Sequence, residues 1–562
     1  MDNSSLASDV LMDHRGPSTI SVQDIWGSLY LIIPALFVVY CTVDTFFTRR
    51  LIQAQKHFPV GSWLATAPKF VLNLIFAGQG TQVLQKAYKK YEESGFQLIR
   101  NNGRIVVLPL NLLEELASLP EKVANPQAAL EHDLLGRYTG LNLILENRLH
   151  HSIVQRKLTP RLPLLLPRME KATADSFAQF FPNSEEWTEF QPYQVLGRIS
   201  ARVAADAIVG PALSNNSEWL DIAFNYTENR EPLPKTTFLE DHIDLELICR
   251  SVFRTIVVLR TLPEWTHPLV YPVLPSYWAC QKYLKMAKTL LGPRIEEKIA
   301  NSDSGTWVPK DDNTDDTNVL SWLSHMAKGR DRSSDTISHV LVLVALASVH
   351  TTLLRMVNVL YDVTAAGPSL LEGLLDEIAS VSRNGWNTGS YDELHQLDSV
   401  MRESQRMSPP TTLGLKRLFR EPYTFQDGTF VPAGTYVCLP IHAIENDADH
   451  NPRPEAFDGL RSFHAREERE QAGDMDKLAA KEFLFSSPTR TALNFGYGKS
   501  ACPGRFFASC VIKMVAVKMF TEYEFKFLPG TERPSNLMVH EFLFTWPWQK
   551  ILVRRKQQKC PF

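Results

Sequence analysis

The chain has 562 residues, 44% of them hydrophobic and 22% charged, a balance ordinary for a folded globular protein. Its net charge of −3, from 59 basic and 62 acidic residues, gives no reason to expect nucleic acid as a partner. Seven cysteines with no Cys-x-x-Cys pair argue against a disulfide scaffold or a structural zinc site, and fit a reducing, cytosol-facing compartment.

The first element in chain order is Ile25–Val43, continuous in apolar and small residues and free of charge. Nineteen residues of helix, at about 1.5 Å rise each, nearly cross a hydrocarbon core of about 30 Å. A cleaved signal peptide and a buried helix are the alternatives. No positively charged stretch or Ala-x-Ala cut site precedes a cut, which weakens the first. Arg49, Arg50 and Lys56 follow the span and only Arg15 precedes it, so the positive-inside rule puts the C-terminal side in the cytosol. The expected order is a lumenal segment over 1–24, a single transmembrane anchor over 25–43, a hinge over 44–62 and one large domain over 63–562. The membrane expected is that of the endoplasmic reticulum, with the domain facing the cytosol. That orientation leaves the sequons at Asn215 and Asn225 unmodified.

From about Leu84 to Ala300 the patterning is helical, punctuated by Thr159-Pro160 and Pro232-Leu-Pro234. Ser302–Asn318 is polar and acidic and reads as a surface loop. The apolar run Ile337–Thr352 is too short and interrupted for a membrane span and predicts a long buried helix. Near its end stands His350. A lone histidine on an apolar helix is more often a satisfied core residue, but an imidazole beside Thr351 that titrates near neutrality could carry protons. Glu403 and Arg406, three apart, share a helix face and can pair, although such a pair alone is usually a surface feature. Tyr423–Phe430, around Gln426-Asp-Gly428, predicts a hairpin, and Val431–Val437 a further strand. There is no internal repeat. The class expected is mainly α with small β-sheets.

The richest stretch is Asn494-Phe-Gly-Tyr-Gly-Lys-Ser-Ala-Cys-Pro-Gly-Arg-Phe-Phe-Ala508. A free cysteine is usually a small buried hydrophobe, and Cys249, Cys280, Cys438 and Cys510 fit that reading. Cys502 differs, because it follows a glycine-punctuated loop and precedes a predicted helix with Pro503 at its first position. Unpaired N–H groups and the positive dipole end would stabilise a thiolate there. Gly496 and Gly498 let the backbone lie close to a flat ligand. A thiolate so held can serve as the proximal ligand of a haem iron.

The frame Phe-Gly-x-Gly-x-x-x-Cys-x-Gly resembles the haem loop of the cytochrome P450 family. Glu403-x-x-Arg406 before Pro409-Pro410, and Pro454-Glu-Ala-Phe-Asp-Gly-Leu-Arg461 after it, resemble further motifs of that family. The likeness runs from roughly Lys56 to the C-terminus, with its sharp motifs after Ile337. It implies the cytochrome P450 fold behind one N-terminal transmembrane helix. It also implies haem b (iron protoporphyrin IX) as cofactor, ligated by Cys502 within a loop that includes Phe495, Gly496 and Gly498. Glu403, Arg406 and Arg461 would form a structural triad supporting that loop. Arg417, Arg156, His151 and Lys499 would meet the haem propionates, with Ser500 standing where the family usually has a cation.

Ala347-Ser-Val-His-Thr-Thr352 resembles the oxygen-activation groove, with Thr351 and its water relaying protons. It departs from the pattern at Ser348, usually glycine, and at His350, usually an acid. Ala347, Ser348, Thr411, Thr412, Leu413 and Leu415 would line the distal pocket. Lys499, Arg505, Lys513 and Lys518 could form a basic face for an acidic electron donor, or an ordinary solvated helix face. The partners implied are an NADPH-cytochrome P450 reductase, cytochrome b5 as a further candidate donor, an apolar small molecule and a membrane. The motif strings look most like fungal monooxygenases of secondary metabolism that act on terpenoids. Rival readings are an isomerase or dehydratase of the same fold, indifferent to Thr351, and a non-catalytic haem-binding membrane protein.

Overall fold

The computed structural model describes residues 35–47, 58–62, 67–101, 103–143, 149–225 and 252–562. The helices that position the site are α1 (Ala35–Phe47), α2 (Lys69–Lys90), α3 (Leu162–Phe180), α4 (Pro192–Val209), α5 (Val252–Thr261), α6 (Pro275–Asp303), α7 (Ser334–Ala366), α8 (His395–Met407) and α9 (Arg505–Glu522). α7 is the axis of the body, packed by α4, α6, α8 and α9. Among the described residues it alone is long and apolar enough to cross a membrane, yet most of it is buried in protein. A helix apolar all round belongs in a core. Its start is fixed by Ser333, whose hydroxyl accepts the Thr336 N–H (3.1 Å), with Asp335 in the first turn.

A five-stranded sheet flanks the helical body. Its strands are β1 (Phe96–Arg100), β2 (Gly103–Val107), β3 (Ala124–Asn125), β4 (Gly414–Phe419) and β5 (Tyr436–Leu439), in the order β1-β2-β5-β4-β3. Only β2 and β5 run parallel, with Val106 opposite Val437. The β4–β5 register slips between Gly414 and Arg417, where Leu415 takes a positive φ of 48°. Smaller sheets include the Tyr423–Thr424/Phe430–Val431 hairpin and a C-terminal hairpin, Leu537–Val539 with Phe542–Phe544.

Away from the site, the fold adds three things to expectation. β1 and β2 fall inside the stretch read as helical; the Asn-Gly pair at 102–103 between two apolar runs is a hairpin signal. The acidic loop after α6 is tied down at its inner end. Buried Asp316 accepts from Trp307 Nε1 (2.8 Å), Asn313 Nδ2 (3.0 Å) and Lys298 Nζ (3.3 Å). The apolar helix near the N-terminus runs on to Phe47, so the first residues of the expected hinge are helical. The span read over 25–43 is described from Ala35 onward, and residues 1–24 lie outside the described residues.

α1 leaves Leu36, Phe37, Val38, Val39, Val43, Phe46 and Phe47 exposed. It touches α2 through Phe37 and Phe70, whose rings meet edge to face at 5.5 Å, and through the Lys69 N–H, which donates to Asp44 (3.2 Å). Four residues on, Asn73 Nδ2 donates to the Arg260 carbonyl at the end of α5 (3.2 Å). The next turns carry Trp265, Leu269, Val273 and Trp278, all exposed.

Candidate active site

The loop that carries Cys502 is closed on itself by backbone hydrogen bonds. The Cys502 N–H donates to the Phe495 carbonyl (2.7 Å), that of Gly496 to Leu493 (2.8 Å) and that of Ala501 to Gly498 (3.1 Å). Gly496 works at a φ of +77°, and a Cβ there would lie 2.9 Å from the Ser500 carbonyl oxygen. No side chain fits where the loop turns back. Gly498 also takes a positive φ, 57°. Phe495 braces the loop with its ring 5.1 Å from that of Phe485, edge to face.

The helix after the loop begins later than expected. α9 starts at Arg505 with Gly504 as its N-cap, so Pro503 lies outside it and Cys502 precedes the first turn. The thiol still feels the helix end. Burial among protein atoms pushes it up, while the Gly504 N–H, the Arg505 guanidinium and the Arg505 N–H pull it down. Cys502 is nonetheless exposed to solvent. A metal at the sulfur would reverse the balance, because a coordinating thiol is deprotonated outright.

Behind the loop the structure brings Glu403, Arg406 and Arg461 together. Arg406 donates to both Glu403 oxygens (Nε–Oε2 2.9 Å, Nη2–Oε1 2.8 Å), and Arg461 adds a second pair at 3.2 and 3.3 Å. Burial alone would raise the Glu403 carboxyl; hydrogen bonds and charge from Arg406, helped by Arg461, hold it below its ordinary range. Sequence reading missed Arg355 of α7, which ties that helix to α8. Its Nη1 donates to Ser404 Oγ (3.2 Å) and its Nη2 to the Ser408 carbonyl (2.7 Å). The signal was there, since a charge inside an apolar helix needs a buried partner.

Within α7, Leu346–His350 form a single π-helical turn, a feature frequent at functional sites. Between Asp335 and Ala365 only Ala347 and Thr351 are exposed, and their four-residue spacing puts them on one face, so a notch opens there. Thr351 Oγ1 donates to the Ala347 carbonyl (2.7 Å), and Thr352 Oγ1 to that of Ser348 (2.6 Å). Ser348 turns its hydroxyl back to the Val344 carbonyl (2.8 Å). Ser200 of α4, which the sequence did not single out, donates to the Val349 carbonyl (2.9 Å).

His350 stands apart from Thr351. It is buried, with its ring stacked on that of Phe253 at 5.5 Å and 28°. Burial pulls it down to about 4, so it is a neutral imidazole at neutral pH. Of the two readings of His350, burial favours the core residue over the proton carrier.

The four residues read as propionate partners fall together. Arg417, His151, Arg156 and Lys499 line one cavity of about 500 Å³, along with Ser500. Arg417 is buried there, donating from Nη2 to Ser500 Oγ (2.9 Å), and burial lowers it to about 10. The residues after Pro409-Pro410 depart from expectation. Thr412, Leu413 and Leu415 are buried. Leu413 packs with Phe76 and Leu84 of α2, Leu415 with Leu112 and Leu113, and Thr412 N–H donates to the Glu541 carbonyl (2.7 Å). They pack the sheet, and only Thr411 is half-exposed.

The basic face also dissolves. Lys513 is buried with its ammonium 2.7 Å from Asp398, and Lys518 is buried 2.7 Å from Glu522. Arg505 folds over Phe506, its guanidinium 4.3 Å from the ring centre.

A reachable thiol ringed by N–H donors, a notch in the central helix and a cationic cavity for two carboxylates suit a flat, dianionic metal macrocycle. They define a class, the haem-dependent oxidoreductases. The cytochrome P450 family model matches residues 68–553, and the chain belongs to the cytochrome P450 family.

It is 32% identical over 563 residues to cytochrome P450 monooxygenase AN1598 of Emericella nidulans, covering 99% of this chain and 97% of that one. Ent-kaurene oxidase P450-4 of Gibberella fujikuroi is 30% identical over 495 residues (87% and 90%). Cytochrome P450 monooxygenase paxP of Penicillium paxilli is 31% identical over 512 residues (89% and 90%). Retinoic acid bound cyanobacterial CYP120A1 shares the fold at a TM-score of 0.58 and 16% identity, over 86% of this chain and 96% of that one. The protein is a haem-dependent monooxygenase.

Proposed function

We propose that the protein is a membrane-anchored haem-thiolate monooxygenase of fungal secondary metabolism. It inserts one atom of O2 into an apolar, terpenoid-type substrate with electrons from an NADPH-cytochrome P450 reductase, cytochrome b5 being a second donor. The observation that carries the chemistry is the closed loop that presents the Cys502 thiol to the N–H groups of Gly504 and Arg505. The relative named ent-kaurene oxidase supports the terpenoid class. The exposed apolar α1, with the exposed Trp265, Leu269, Val273 and Trp278, supports anchoring in the endoplasmic reticulum membrane.

In this reading Cys502 supplies the thiolate, and the haem it holds supplies the oxygen-activating chemistry. Arg417, Arg156, His151 and Lys499 neutralise the propionates. Glu403, Arg406 and Arg461 hold the segments behind the loop. Thr351 manages protons. Its hydrogen is committed to the Ala347 carbonyl at rest, so its lone pairs are free to accept from a water in the notch. Rotation away from that carbonyl lets it pass a proton on.

The carbon monoxide difference spectrum of reduced protein tests the ligand. A strongly red-shifted Soret band is expected, and Cys502→Ala should abolish it. The same band in Cys502→Ala would end the assignment. Thr351→Ala should keep the band but divert reducing equivalents to peroxide, read as NADPH consumed per product formed. Unchanged coupling would remove Thr351 from the relay.

A further inference from the structure

Glu445 ends the short helix Ile441–Glu445, a poor place for a carboxylate because the helix dipole is negative there. It is also buried. Burial pushes its carboxyl up to about 7, against the pull of the N–H groups and arginines that face it, so keeping it ionised costs folding free energy at neutral pH. A residue that breaks two local rules marks a position with another task.

Its two oxygens are spent on the entry to the cysteine loop. Oε1 accepts the Leu493 N–H at 2.5 Å and Oε2 accepts Asn494 Nδ2 at 2.6 Å. Leu493 then accepts the Gly496 N–H (2.8 Å), and Phe495, one residue past Asn494, accepts the Cys502 N–H (2.7 Å). Arg402 and Arg406 of α8 supply the facing positive charge. The Glu403 triad grips the segment around Asp458, whereas Glu445 grips the strand of chain from which the loop departs.

We propose that Glu445 is a positioning residue for Cys502. Its carboxylate clamps Leu493 and Asn494 so that the loop closes with the sulfur in place. This rests on Cys502 being the ligand, as proposed above.

The test uses purified haem-loaded protein, with two readouts: the share of the red-shifted Soret band in the carbon monoxide difference spectrum, and the rate of haem transfer to excess apomyoglobin. Glu445→Ala removes both acceptors and should raise haem release about tenfold, the effect of losing a charge-assisted hydrogen bond. Glu445→Gln should stay within about twofold, because the Asn494 amide can turn over and accept from the new amide. Asn494→Ala should raise release, and adding it to Glu445→Ala should do little more, since Glu445→Ala has already removed the bond between the two side chains.

Additive effects, or unaltered release in Glu445→Ala, would overturn the proposal. If Glu445→Ala does not fold, Glu445→Gln and Asn494→Ala decide it: the first must keep haem and the second must lose it faster at unchanged thermal stability. A missing red-shifted band in unaltered protein would instead sink the Cys502 assignment itself.

Discussion

Lys513 separates two accounts of the α9 surface. Its ammonium lies 2.7 Å from Asp398 Oδ2 and 2.6 Å from the Tyr391 carbonyl, with side-chain exposures of 5% and 2% for the charged pair. Lys513→Met keeps the stem and removes the charge, leaving Asp398 with the Phe485 N–H at 3.2 Å. Breaking a buried pair on one side costs about 3–5 kcal/mol. An unfolding entropy of about 2 cal/mol/K per residue gives about 1 kcal/mol/K for a domain of this size, so Tm should fall by about 3–5 °C.

The loss should depend on pH. Burial already raises the Asp398 carboxyl and Lys513 is the largest pull downward, so its removal lets the carboxyl rise further. The native state then holds a proton that the unfolded chain has lost, and stability falls as pH rises. The deficit against unaltered protein should be larger at pH 8 than at pH 6. Thermal unfolding of haem-loaded protein at both values, at one scan rate, measures it. Adding Asp398→Asn should recover part of the loss. An unchanged Tm together with weaker saturation by reductase would refute the buried pair and return Lys513 to a docking face.

His350→Phe should retain both the stack on Phe253 and the coupling of NADPH to product, with no change in the pH profile between 6 and 8. A limb lost near 6.5 would restore the imidazole as a proton carrier. Folded His350 takes no proton until about pH 4, whereas the unfolded chain takes one near 6.5, so stability falls as pH drops across that window. Urea melts of His350→Phe should show roughly 3 kcal/mol less of that acid loss. Gly496→Ala combines a left-handed φ with a Cβ 2.9 Å from a carbonyl, so the haem-to-protein ratio should drop. Gly434→Ala, at a φ of +78° with open space around it, should cost only about 1–2 kcal/mol and keep its haem.

Motifs whose chemistry is local were legible in the sequence. The three-residue spacing of Glu403 and Arg406 and the glycine frame around Cys502 dictate their own geometry, because a helix face and a tight loop are set within a few residues. Residues whose role depends on what packs against them were not. Lys513 reads as a surface lysine until Asp398, more than a hundred residues away, is folded beneath it. Leu413 and Leu415 read as pocket residues by position along the chain. Both are instead buried, Leu413 in the cluster with Phe76 and Leu84 of α2 and Leu415 in the cluster with Leu112 and Leu113, neighbours that only the folded chain brings together. β1 and β2 are short enough to hide within surrounding helical periodicity, and only the Asn-Gly pair between them signals a hairpin.

The wide turn at Leu346–His350 has a consequence for how this lineage can vary. A π-helical turn holds one residue more than an α-helical turn between the same flanks. Removing a residue elsewhere in the Ser334–Ala366 helix would rotate everything after it by about 100° and expose apolar side chains now in the core. Removing one within this turn would restore ordinary helix while both flanks keep their packing. This turn is the point in the buried axis where the loss of a residue can be absorbed by folding, and so where chain length can be changed with least disturbance to the core.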